Sequence, residues 1–541
     1  MAAVLSLSAV FLFVLVITVP FLGQALHVDD ALFWDFARNN LVHPLQQHLA
    51  GYHLMGEDVA AFRDTHPPVD ELYMSLLMLV SGTTSSEAVL HLGFIIFPLI
   101  AGASMFFLAR RFTRNALLAT FLLLATPGVM LLSHTLMADL PMTAFWLAAT
   151  AAYIYGVDRD DTRLLAAASL LITLAVFTGY QALALIVLLP AYAWLSGRLR
   201  WKTALPLLLP LLAFAAFTWL NFAYYGAPPR FSHAAGLSMK EGDVITRFQG
   251  MLLQMGGISV FPLFLAVGFM LRRRRYLALP LLAGIAAVLG WRQLAPGYPA
   301  ASAVLFVVFM FAGSCMLTAV VWEGAVQLAN RARRLPLDRD FLFLGFWLVS
   351  ILGAVVILLP HATAKYYLPV FAPLILLLFR EAEAALKPGR LLKGLAVAAI
   401  GLSFFTGLWL SAADYQLAQA YKDFALSVEA RYHPTGTVWF VGEWGFRHYM
   451  ESEGYKYLTS TSTAPRPGDL IIRPSFMNWP LEGSLLGRIQ RIEVPAVTWS
   501  VPLRVMSMDA DAGFYGTYWG RLPYTITSSP VEQFEVYRVT R

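Results

Sequence analysis

His27-Val28-Asp29-Asp30 opens a polar stretch that closes at Arg63-Asp64-Thr65-His66-Pro67-Pro68, and on both sides of it the chain is strongly apolar. Five of the eleven histidines fall from His27 to Asp70, together with a crowd of carboxylates. An ionisable side chain in hydrocarbon costs about 2.5 to 3.5 kcal/mol even on insertion scales, so such a loop must sit in water or line a cavity. The region 24–87 therefore reads as the site-bearing loop of a protein that otherwise lies in membrane.

Outward from that loop, the composition is that of a polytopic α-helical membrane protein. Of 541 residues, 58% are hydrophobic and 13% charged, against about 25% charged in soluble domains. Apolar runs near the roughly 20 residues of a helical span recur up to about residue 412, after which the texture is that of an ordinary soluble domain. Two domains are expected, a membrane domain over 1–412 and a soluble one over 413–541. The first apolar run, Met1 to Gly23, lacks a charged n-region and is long for a leader, so it reads as a retained span. About thirteen spans follow from the apolar runs, near 4–23, 88–109, 115–132, 141–157, 164–178, 180–196, 203–223, 251–271, 276–290, 300–325, 341–359, 364–380 and 392–412. Residues 69–82, after the Pro-Pro pair, are shorter and amphipathic and read as an interfacial helix.

Charge fixes the orientation. Alternate loops, among them those with Arg110-Arg111, Arg198 to Lys202 and the run Arg272 to Arg275, hold twenty Lys and Arg; the intervening loops hold seven. The positive-inside rule then puts the N-terminus inside and the C-terminal domain outside, as expected of a multi-pass protein of a bacterial inner membrane. The net charge of +6 comes mainly from these short loops, so no nucleic-acid partner is expected. With this parity the histidines, Asp29, Asp30, Asp139 and Lys365 all face outward.

The tail shows strand and helix signals in alternation. Thr437-Val438-Trp439-Phe440-Val441 reads as a strand, Arg447-His448-Tyr449-Met450 as helix, and Pro465 to Gly468 as a connection, giving a small α/β or α+β domain. The single cysteine, Cys315, lies in an apolar run and supports neither a disulfide framework nor a thiolate metal site. No Asn-x-Ser/Thr sequon occurs, which disfavours a eukaryotic secretory setting.

Four loop motifs carry candidate chemistry, each beside a plainer reading. Asp29-Asp30 could share a divalent cation or supply a general base, or be acids favoured at a helix N-terminus. His66, held before two prolines, could donate to a phosphate. Asp139, the one acid of a short apolar loop, could share a metal with Asp29 or Asp30, or cap the span at Pro141. His361 and Lys365 sit in another outer loop, His361-Ala362-Thr363-Ala364-Lys365-Tyr366-Tyr367-Leu368-Pro369, where a cation with tyrosines suits a lipid phosphate or simply anchors the interface. Arg230 lies in a further loop that could close over a substrate.

An early outer loop opening with an acidic pair and closing with His-Pro-Pro, a short second loop with a lone Asp before Pro, and a late Tyr-x-Leu-Pro: in that order the chain resembles the GT-C membrane glycosyltransferases. Within them it is similar to the protein O-mannosyltransferase and lipid A aminoarabinose transferase branch, over about residues 1 to 412. The resemblance implies a hexosyl- or pentosyltransferase that moves a sugar from a polyprenyl-phosphate donor to a hydroxyl of an acceptor lipid, glycan or protein, with inversion, at the outer face. It implies Asp29 as general base, with Asp30 where the family has Glu. Asp139 is implied as the acid that helps hold a metal or orient the acceptor, and His66, Lys365, His361 or Arg230 as contacts to the donor. A divalent ion held by Asp29, Asp30 and Asp139 is the one cofactor it implies. Where many relatives have Thr-Lys-Gly, this chain has Thr178-Gly179-Tyr180, so another cation must meet the leaving phosphate. The competing class is a transporter or a scaffold presenting the C-terminal domain. Transporters put polar groups at mid-bilayer, whereas here the ionisable residues gather in loops.

Overall fold

A computed structural model describes residues 2–44, 51–54, 57–60, 66–84, 86–226, 244–266, 278–291, 298–333, 336–359, 363–386, 389–459, 465–476, 478–481 and 483–541. The membrane part is helical, and each expected span has a helical counterpart. Among the described residues, seven helices are long and apolar enough to cross a bilayer, including Asp139–Arg159, Arg339–Leu358 and Arg390–Tyr432. The other apolar runs are shorter or interrupted. Thr126 and Pro127 split one run into Ala116–Ala125 and Pro127–Leu132, and the run at 180–196 begins as a 3-10 turn before Leu185–Leu195. Proline removes a donor and clashes with the preceding turn, which accounts for the break at Pro127; Pro190 and Pro373 lie inside continuous helices.

The Asp139–Arg159 helix gives the bundle its scale. Its 21 residues, at 1.5 Å each, span about 30 Å, the thickness of the hydrocarbon core. Asp139 stands at one end. At the other, Asp158 accepts from Arg111 Nε at 2.7 Å and from Tyr192 OH at 2.7 Å. Arg111 also pairs with Asp340 at 3.1 Å, and Arg380 pairs with Asp338 at 2.8 Å. Arg111 and Arg380, from two of the basic loops, thus form a tied ion-pair cluster at the end of the bundle opposite the acidic loop.

Two elements carry the acidic loop. The Asp30–Val42 helix packs against the Val69–Ser81 helix, with Ser75 Oγ donating to the Ala37 carbonyl at 2.9 Å. At 13 residues the second helix is too short to cross a bilayer. It exposes Leu72, Leu76, Leu79 and Val80 and buries Asp70 and Glu71.

The C-terminal part is a mixed sheet with strand order Lys456–Tyr457, Val438–Phe440, Leu470–Pro474, Glu532–Val539, Ile489–Glu493. The first three strands are parallel, and the Trp444–Ser452 helix makes the crossover between Val438–Phe440 and Lys456–Tyr457. The Arg390–Tyr432 helix joins this sheet to the bundle. Its 43 residues run unbroken through position 412, and Phe424 near its end stacks on Phe534 at 3.8 Å.

Candidate active site

The turn before the Asp30 helix decides where its acids go. Val28 has φ 51°, a left-handed conformation that a β-branched residue adopts only under constraint. The constraint comes from three sides. Leu26 N donates to Tyr449 OH at 2.8 Å, His91 Nε2 donates to the Gln24 carbonyl at 3.0 Å, and the Gly445 backbone packs on Leu26. A Cβ on Gly445 would lie 1.9 Å from the Leu26 carbonyl oxygen, so only glycine permits this approach.

Past that turn the neighbouring carboxylates separate. Asp29 Oδ2 accepts from Lys365 Nζ at 2.7 Å, and the same ammonium lies 3.9 Å from Asp139 Oδ2. Lys365 is 9% exposed by its side chain, Asp29 26% and Asp139 14%, so the pair opens to the outside on the Asp29 side. Asp29 is the N-cap of one helix and Asp139 begins another, so two positive helix ends face the acids. Burial disfavours the ammonium, yet Asp29 and Asp139 outweigh it and hold Lys365 protonated beyond the ordinary lysine range. His66 meets Phe33 edge-on at 4.8 Å and lies near enough to Asp139 and Asp70 for a proton on its ring to act on both. Burial pushes Asp70 well above the usual carboxylate range, His66 opposing and Asp30 and Asp139 reinforcing.

Asp30 turns inward, fully buried. Its Oδ1 accepts from Leu136 N at 2.8 Å and its Oδ2 from His27 N at 3.4 Å. His27 Nε2 is 3.0 Å from Asp414 Oδ1, and Asp414 Oδ2 accepts from Tyr515 OH at 2.7 Å and Gln24 Nε2 at 3.4 Å. Burial would strip the proton from His27, but Asp414 and Asp30 overcome it and raise its pKa to about 10. An imidazolium between two carboxylates thus lies directly beneath the Asp29 turn.

Of the residues expected from sequence, Asp29, Asp139 and Lys365 meet, and His66 lies within electrostatic reach of Asp139. His361 and Arg230 lie outside the described residues. Asp30 does not share a partner with Asp29: it bonds to Leu136 and His27. Among the described residues no three His, Cys, Asp or Glu form a metal-holding group, and the Lys365 ammonium occupies the space between Asp29 and Asp139. The ammonium thus stands between two of the three acids expected to share an ion. Sequence reading missed Asp70, Asp414 and Tyr515. A lone acid continuing an apolar span was the available signal for Asp414. Glu443, Trp444 and His448 of the tail make fold contacts: Glu443 accepts from Tyr457 OH and lies 3.8 Å from Arg447 Nε, Arg447 in turn pairs with Asp35 at 2.7 Å, His448 meets Trp34 edge-on at 4.5 Å and Trp444 meets Trp519 at 5.0 Å.

Residues 65–222, under a third of the chain, match the model of the dolichyl-phosphate-mannose-protein mannosyltransferase family. No curated protein matches the chain by sequence. The apo oligosaccharyltransferase of Archaeoglobus fulgidus is similar in structure, with a TM-score of 0.50 at 15% identity over 85% of this chain and 64% of that one. The chain therefore spans just under two thirds of that protein's length. The same oligosaccharyltransferase in complex with zinc and sulfate gives a TM-score of 0.46 at 16% identity, covering 84% of this chain and 62% of that one. ArnT from Cupriavidus metallidurans bound to undecaprenyl phosphate gives 0.41 at 15% identity, covering 87% and 92%. The fold is GT-C-like, a multi-pass helical bundle with a small strand-containing C-terminal domain, in keeping with the resemblance carried by the loop motifs.

Proposed function

We propose that the chain is a membrane glycosyltransferase that moves a sugar from a polyprenyl-phosphate donor to a hydroxyl of an acceptor lipid, glycan or protein. The observation that carries the reading is the Asp29–Lys365–Asp139 constellation, a partly exposed carboxylate beside a buried ammonium at one end of a helical bundle. The family match over residues 65–222 and the shared fold support it.

The chemistry follows from charge. The donor enters from the lipid, its tail in hydrocarbon and its phosphate at the membrane surface, where Lys365 and His66 offer donors. As the anomeric carbon–oxygen bond breaks, the leaving phosphate gains charge and draws the Lys365 ammonium, loosening its hold on Asp29. Asp29 then takes the acceptor's proton while the acceptor oxygen bonds to the anomeric carbon from the opposite face. The configuration inverts and the lipid phosphate departs. General base catalysis contributes about 10²- to 10⁴-fold, and a fixed cation at the developing charge adds to it. Asp139 shares the ammonium and keeps it in place. Asp30 serves the turn, and no step is assigned to a metal ion. Of the sequence expectations, the inner-membrane setting, the outward-facing site and the division into membrane (1–412) and soluble (413–541) domains belong to this proposal.

The test is to supply membranes containing the full chain with polyprenyl-phosphate sugars labelled in the sugar. Label moving into a lipid, glycan or protein acceptor, with polyprenyl phosphate released, is the expected result. No movement from any hexosyl or pentosyl donor would overturn the reading.

A further inference from the structure

We infer that the C-terminal domain contributes a positioning residue, Tyr515, to the membrane site, and that one segment of it, residues 511–524, fixes both arms of the Asp29–Lys365 pair. The inference rests on the function proposed above and adds to it a part for the C-terminal domain.

Two consecutive residues reach the two arms. The Phe514 carbonyl accepts from Ala364 N at 3.2 Å, and Ala364 directly precedes Lys365. The Tyr515 hydroxyl donates to Asp414 at 2.7 Å, and Asp414 accepts from His27, two residues before Asp29, at 3.0 Å. The Tyr515 ring also stands edge-on to His27, with centroids 5.2 Å apart. Lys365 is thus held through one backbone bond and Asp29 through a short buried relay, both starting from the same dipeptide. A shift of this dipeptide would change the ammonium–carboxylate spacing directly.

The segment is rigid enough for the task. It closes on itself: Leu522 N donates to the Asp511 carbonyl at 2.9 Å, Gly513 N to the Leu522 carbonyl at 2.8 Å, and Arg521 Nε to Asp511 Oδ2 at 2.9 Å. A Cβ on Gly520 would lie 2.2 Å from the Ala512 backbone nitrogen, so the two sides of the loop are in backbone contact. It is also tied to membrane helices, with Gln254 Nε2 donating to the Arg521 carbonyl at 3.0 Å and Tyr524 OH to the Gly257 carbonyl at 3.1 Å. Mere docking of a domain would be served by those last contacts alone. The Phe514 and Tyr515 contacts go further and reach the reacting groups' own turns.

The experiment uses the full-length protein as Tyr515→Phe, with Asp414→Asn as a second variant cutting the same relay and Tyr524→Phe as the control that loses one hydrogen bond elsewhere in the segment. Two readouts are taken: sugar transfer, and zero-length carbodiimide coupling of Asp29 to Lys365, measured by mass spectrometry and independent of turnover. Misplacement by about 1 Å costs up to about 10²-fold in rate. The expected result is a loss of about tenfold in kcat with the donor KM within about twofold, and a clear drop in coupling yield, in both relay variants and not in Tyr524→Phe. Wild-type coupling in Tyr515→Phe and Asp414→Asn, whatever their turnover, would overturn the inference, as would an equal drop in Tyr524→Phe. If coupling falls as expected while even the wild type transfers no sugar, the positioning stands and the proposed function fails.

Discussion

Asp29 and Asp30 are adjacent in sequence and separate in their contacts, and Val28 is the reason. Its left-handed backbone turns Asp29 to Lys365 while Asp30 reaches Leu136 and His27. The sequence marked both acids, along with Asp139, Lys365 and His66, because ionisable side chains at the ends of apolar spans have few innocent reasons to be there. It could not mark their directions, since neighbouring side chains carry no record of the turn between them. Nor could it show that His27 is paired with Asp414, which lies 387 residues away. That pair has a consequence for pH. The pKa of His27 is raised from an ordinary 6.5 to about 10 in the folded protein, so its contribution to stability is full below pH 6.5 and disappears as pH rises through 10. The melting temperature should therefore fall across that window, and His27→Gln should lower it at pH 6.5 while flattening the fall. Parallel slopes for the two proteins would remove His27 from the account.

At the scale of elements, hydropathy located the apolar helices well because burial in lipid demands a long apolar run whatever the tertiary structure. The break at Pro127 and the 3-10 turn at Tyr180 shorten two of them, so among the described residues fewer uninterrupted helices are long enough to cross than there are apolar runs. The strand at Val438–Phe440 and the helix at Trp444–Ser452 follow the pattern of the tail. What that pattern did not reveal is the service of the helix: it grips the Asp29 turn through Gly445 in its first turn and Tyr449 in its second. Gly445→Ala sets a methyl against the Leu26 carbonyl and should destabilise the protein by about 1 to 3 kcal/mol, the usual cost of overpacking. Transfer activity should fall more than stability at permissive temperature, because the displaced turn carries Asp29. A Gly445→Ala protein with unchanged melting temperature and activity would contradict this arrangement.

In the whole molecule, the two ends of the bundle have opposite characters. Arg111, Arg380 and their aspartates close one end, while the other gathers Asp29, Asp139 and Lys365 beside a domain that docks on the turns carrying Asp29 and Lys365. Composition made this polarity legible in the asymmetry of basic loops. The docking was not legible, because its contacts join residues hundreds of positions apart, as Arg447 to Asp35 and Tyr515 to Asp414 show. The resulting site has one carboxylate that is both accessible and placed beside a cation, and the account depends on it as the base. The most direct measurement is the rate of sugar transfer from a polyprenyl-phosphate donor by purified Asp29→Asn, alongside its melting temperature. A rate lower by about 10²-fold or more with the melting temperature retained is the predicted result; transfer at the wild-type rate would contradict the assignment of Asp29 and the mechanism built on it.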